Sequence, residues 1–150
     1  MAWACFCVEP GVKSDPSSSQ IVFRCVVTQV KELPMRPGGE RPRSAVTFAA
    51  SEFWKGERAK KITLHVVAYA PDCIGARFDA GKEYVVFAHT EEVDDHLLGR
   101  DFWYGWSDVL PKGSKLFTVN SACNSTAEIK QAAKTLKNLG KGKKPRLTDR

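Results

Sequence analysis

No stretch of this chain reaches the ~18 consecutive apolar residues that a membrane-crossing helix needs, so an α-helical span is excluded. Histidine is scarce: His65, His89 and His96 are the three in 150 residues. They are scattered, show no metal-ligand spacing, and none stands beside a serine or cysteine in a nucleophile motif. A glycine-rich phosphate loop is missing too. Asp94 and Asp95 are adjacent in a charged stretch, without the apolar surroundings that a catalytic acid needs. These absences argue against an enzyme, an intrinsic metal site and a bound cofactor. Internal repeats are also lacking.

The chain holds 43% hydrophobic and 27% charged residues, an ordinary globular balance, and its length fits one domain able to bury a core. Its formal charge of +6 is unevenly spread. Residues 128–150 carry eight basic groups against Glu128 and Asp149, whereas residues 1–127 are balanced. The body is therefore neutral and the basicity belongs to the tail. Such a tail is a solubilising extension, or it attracts polyanionic glycans by reversible electrostatics. A nucleic-acid partner is not expected, because single-strand binders need a basic groove on the body itself.

Five cysteines make an odd count. Cys5-Phe6-Cys7 places two thiols one residue apart, on opposite sides of an extended segment, so they can hardly bond to each other. In a reducing compartment they would be thiols prone to bind metal or oxidise. In an oxidising one, two bridges use four cysteines and leave one. Cys25, inside Ile21-Val22-Phe23-Arg24-Cys25-Val26-Val27, is the natural remainder, a small hydrophobe of the core. Met1-Ala2-Trp3-Ala4 ends in a small-x-small pattern before Cys5, like the last residues of a secretory signal, which points to an extracellular, periplasmic or cell-surface protein.

β-Branched density predicts a first strand over 21–31, and alternation predicts others over 44–55 and 61–67. The apolar run 83–88 reads as a central fourth strand and 116–119 as a short fifth. Lys55-Gly56-Glu57 supplies a turn, and Glu91 to Asp95 looks like a hairpin tip. The cluster Phe102-Trp103-Tyr104-Gly105-Trp106 reads as packing more than as an exposed platform. Ser125 or Thr126 is expected to cap a helix to about Leu139, with Ala127, Ile129, Ala132, Ala133, Leu136 and Leu139 as its stripe and Gly140 as its end. Asn124-Ser125-Thr126 is a formal glycosylation sequon. The expected fold is all-β, a five-stranded OB-like Greek-key barrel with a C-terminal α-helix.

Several marks together resemble the netrin-like domain, and within it the tissue inhibitors of metalloproteinases and their bacterial relatives. They are Cys5-Phe6-Cys7, Val22-Phe23-Arg24, Phe53-Trp54-Lys55-Gly56, Cys73-Ile74-Gly75, the run Gly81 to Ala88, and Cys123 before a helix. They place the domain at 5–139 and leave 140–150 as a flexible basic tail. The resemblance implies bridges Cys5–Cys73 and Cys7–Cys123. It further implies a monomeric, secreted inhibitor whose first cysteine, Cys5, would chelate the zinc of a target metalloproteinase through a free α-amine and its carbonyl. Phe6 would face the specificity pocket. Cys7 and Val8, together with Ala70, Pro71, Asp72 and Cys73, would complete the inhibitory edge. The alternative is a non-inhibitory extracellular netrin-like module that binds a protein or an anionic polysaccharide.

Overall fold

The computed structural model describes residues 20–34, 42–67, 76–93, 106, 109–111, 113–119 and 126–146. Six strands form: β1 (Ile21–Leu33), β2 (Arg43–Lys55), β3 (Lys61–Val67), β4 (Glu83–Glu92), β5 (Lys115–Thr118) and β6 (Ala127–Glu128). A short 3-10 turn (Ile129–Gln131) and the helix α1 (Ala133–Leu139) follow. Sheet order is β1-β2-β3-β5-β4-β6, and a further β1–β4 pairing closes the first five strands into a ring. All neighbours in the ring are antiparallel except β3 and β5. This is the all-β, OB-like barrel with a C-terminal helix that the strand pattern predicts.

β1 closes the barrel because it pairs with β2 over nearly its whole length and with β4 from Ile21 to Val26. Its odd residues Ile21, Phe23, Cys25 and Val27 face the interior, as a period of two requires. On β2 the inward set changes parity, from Val46 and Phe48 to Phe53. Pairing passes from Arg24↔Glu52 to Cys25↔Ala50, so Ser51 is an extra residue, and its hydroxyl donates to the Arg24 carbonyl at 3.3 Å. That bulge turns Phe53 inward and Trp54 outward and bends the sheet. Gly56 makes the β2–β3 turn at φ +93, where a Cβ would lie 2.9 Å from the Gln20 carbonyl oxygen. Glycine is therefore required there.

The interior is aromatic. Phe23 stacks on Phe53 at 5.7 Å and meets Phe48 edge-on at 5.9 Å, and Phe78 links Phe48 to Tyr84. Cys25 is buried and free, held beside the Tyr84 carbonyl, and burial pushes its thiol pKa up. A second apolar cluster lies outside the barrel wall. There Val22, Val85 and Phe87 receive Ala132, Ile129, Leu136 and Leu139, with Trp54 beside them.

Two expectations are corrected. Glu91 and Glu92 are not a hairpin tip but the end of β4, paired with Leu116 and Lys115. Val93 beyond them is buried, and its N–H donates to the Ser114 carbonyl at 2.7 Å. The helix predicted from Ser125 or Thr126 begins only at Ala133. Thr126 is not the N-cap of α1; its hydroxyl accepts the Phe87 N–H at 2.8 Å, and Ala127 and Glu128 pair with Val85 and Tyr84. The exposed edge of β4 has main-chain groups to satisfy, and this demand outweighs helix propensity over 126–128. Ala133, assigned to the stripe, is exposed.

Gly140 ends α1 at φ 72, and its carbonyl accepts the Trp54 indole N–H at 2.9 Å. The segment read as a flexible tail is hydrogen-bonded to the body as far as Arg146. Phe53 and Lys143 exchange two backbone hydrogen bonds of 2.7 Å, and Arg146 N–H donates to the Arg58 carbonyl at 2.8 Å. Residues 147–150 lie outside the described part.

Candidate functional site

The predicted edge, Cys5, Phe6, Cys7, Val8, Ala70, Pro71, Asp72 and Cys73, lies outside the described residues, as do Cys123 and both bridges. The described residues that flank these segments stand on β1, β3 and β5 of the one ring, with β4 between β1 and β5. Gln20, where the N-terminal segment joins β1, donates its N–H to the Ala88 carbonyl at 3.0 Å. Its side-chain oxygen accepts from Thr90 N–H at 3.1 Å. On the next strand His89 is paired with Thr118 and Thr90 with Phe117, at the end of β5. Phe117 in turn is paired with Leu64 on β3.

Because β3 and β5 run parallel, the segments that carry Cys73 and Cys123 leave adjacent strands in the same direction. The β3 side is fixed at its base, since Ala76 N–H donates to the Val67 carbonyl at 3.1 Å. The Cys123 side is fixed by Thr126 on Phe87, one residue from the Ala88 that holds Gln20. At about 4.8 Å per strand spacing, Gln20 lies roughly 10 Å from β5 and roughly 14 Å from β3 across the sheet. Residues 8–19, extended, span about 40 Å, ample to carry Cys5 and Cys7 to both.

Beside the β3 exit, on the outer face of the barrel wall, Val67, Val93, Trp106 and Leu116 form a third apolar cluster. Trp106, one of the five residues of the aromatic cluster, is buried as packing; the other four lie outside the described residues. The Arg43 guanidinium lies 5.3 Å above its ring and donates from Nε to the Pro34 carbonyl at 3.1 Å. His65 meets the same ring edge-on at 5.4 Å. Sequence reasoning did not find this trio, whose members are far apart in the chain.

His65 Nδ1 is buried and has no hydrogen-bond partner among the described residues. Burial disfavours the charged ring and lowers its pKa from the ordinary value of 6.5. Above that value the ring is neutral in both folded and unfolded chains, so it adds no pH dependence. As pH falls through it, the unfolded chain takes up a proton that the folded protein resists, and stability drops until the folded pKa is passed. The denaturation midpoint is therefore expected to fall between about pH 8 and about pH 5, and to fall less in His65→Phe. Equal falls in the two proteins would contradict this assignment.

Among the described residues no group of three or more His, Cys, Asp or Glu side chains could hold a metal ion. No helix among them is long and apolar enough to cross a membrane. Compared with protein-family models and with curated proteins, the chain matches none.

Proposed function

We propose that this protein is a secreted barrel of the metalloproteinase-inhibitor type, acting through its N-terminal Cys-x-Cys strap. The observation that carries the reading is the placement of flanks. Gln20, Val67 with Ala76, and Val119 with Thr126 border the three cysteine-bearing segments; β3 and β5 lie side by side, and β4, which holds both Gln20 and Thr126, pairs with β5. Bridges Cys5–Cys73 and Cys7–Cys123 would lay the strap across that part of the barrel. Cys25, sealed in the core, is withdrawn from the pairing. Cys5, Phe6, Cys7 and Val8, with Ala70, Pro71, Asp72 and Cys73, would then form a ridge narrow enough to enter a protease cleft.

The chemistry needs a free amine. A catalytic zinc keeps an open position, which a neutral α-amine and the adjacent carbonyl of Cys5 would fill together. Met1-Ala2-Trp3-Ala4 stand ahead of Cys5. While they remain, that nitrogen is an amide without a lone pair to donate, and this favours the second reading, a non-inhibitory extracellular binding module. The two are separated by titrating several zinc endopeptidases with a chain beginning at Cys5 and with one keeping residues 1–4. Stoichiometric inhibition by the first alone is the expected result. Two inert chains would leave the binding module.

A further inference from the structure

We propose that the groove between the β2–β3 turn and the segment after α1 is a docking site for a sulfated polysaccharide. The choice of a sulfated partner rests on the extracellular reading above; the groove does not. Its volume is about 510 Å³, and its lining includes Lys55, Arg58, Lys141 and Lys143 with no acidic residue. Two of these cations come from the otherwise neutral body and two from the basic segment, so the groove is where the two meet. The nearby acid Glu52 is committed to the backbone, its carboxylate accepting Gly142 N–H at 2.6 Å. Glu57 sits on the exposed β2–β3 turn and outside the lining.

This arrangement differs from a loose cationic tail because the backbone of the second wall is fixed. Lys143 is held by its two hydrogen bonds with Phe53, and Arg58 binds the segment from both its carbonyl and its guanidinium, the latter to the Lys144 carbonyl at 3.4 Å. Gly142 is the residue that permits the approach: a Cβ there would lie 2.6 Å from the Phe53 carbonyl oxygen and 2.7 Å from Glu52 Cγ. Cations fixed on two walls suit a chain with sulfates on successive sugars. A nucleic acid would also want an aromatic face to stack on. Trp54 lines the groove, but its indole N–H is given to Gly140 and its ring packs in the cluster under α1.

The test is calorimetric titration with a short heparin-derived oligosaccharide, using the full chain. Binding should weaken steeply as salt rises from about 0.05 M to about 0.5 M. Arg58→Gln combined with Lys143→Gln removes one cation from each wall and should weaken binding about tenfold. Gly142→Ala keeps every charge but displaces the segment, and should weaken binding by a similar factor. Unchanged affinity in Gly142→Ala would overturn the proposal, because a loose tail would then suffice. So would equal affinity for the desulfated oligosaccharide, or for a single-stranded oligonucleotide of matched charge. If Gly142→Ala does not fold, the two-cation variant decides, and unchanged affinity in it overturns the proposal. Protease inhibition is measured on the same samples. Loss of one activity with the other intact identifies which of the two readings fails.

Discussion

Replacing Phe23 with alanine is expected to destabilise the protein by about 3–5 kcal/mol, or roughly 8–15 °C in Tm. The ring is 0% exposed, stacked on Phe53 and edge-on to Phe48. Its backbone faces Phe53 on one side and Val86 on the other, so it stands where β1 joins both neighbours and the ring of strands closes. Removing it leaves a cavity that two rigid walls cannot collapse to fill. Val26→Ala is the matched control on the same strand, at 37% exposure on the outer face, and should change stability by less than about 0.5 kcal/mol. Urea denaturation followed by tryptophan fluorescence measures both. Equal costs at the two positions would contradict the barrel interior described above.

Much of this barrel can be read before any coordinates. β3 spans the residues that its alternation predicts, because Ile62, Leu64 and Val66 face the core and turn residues precede them. β1 and β4 run on past their apolar stretches through polar residues, to Leu33 and Glu92. Those ends are held by backbone pairing, which leaves no hydrophobic pattern to detect. The C-terminal helix is shorter than its stripe suggests for a related reason. Ala127, Ile129 and Ala132 do pack against the barrel, as the stripe requires, but Ala127 does so as part of a strand. A spacing that fits a helix fits this strand and turn equally well.

Of the candidate site, Cys25 was legible from its neighbours, since a thiol within Ile-Val-Phe and Val-Val runs belongs inside. The contacts among Arg43, His65 and Trp106 were not, because the pairing of β2 with β3 and the packing of a residue distant in the chain bring them together. The groove has one signal in the sequence, a glycine. Gly142 between Lys141 and Lys143 looks like solvated tail, yet its lack of a Cβ is what lets the segment lie against β2.

Cys73→Ser carries the second large effect. Loss of the proposed Cys5–Cys73 bridge, which closes a long loop, should cost about 2–5 kcal/mol and release the strap. Inhibition should disappear even from a chain whose Cys5 amine is free, because the strap no longer holds its geometry. The parent protein, unfolded without reductant, should take up one alkyl group, on Cys25. Uptake on Cys73 or Cys123 would refute the bridging pattern.

The most direct measurement compares two chains that differ by one residue, one beginning at Cys5 and one with a single alanine ahead of it. Both keep the barrel, the proposed bridges and the basic segment; only the position of the α-amine differs. Titrated against a zinc endopeptidase, the first should inhibit with one-to-one stoichiometry. The second should leave the protease active at concentrations where the first has saturated it. Equal inhibition by the two chains would show that Cys5 is not the zinc ligand and would contradict the proposed mechanism.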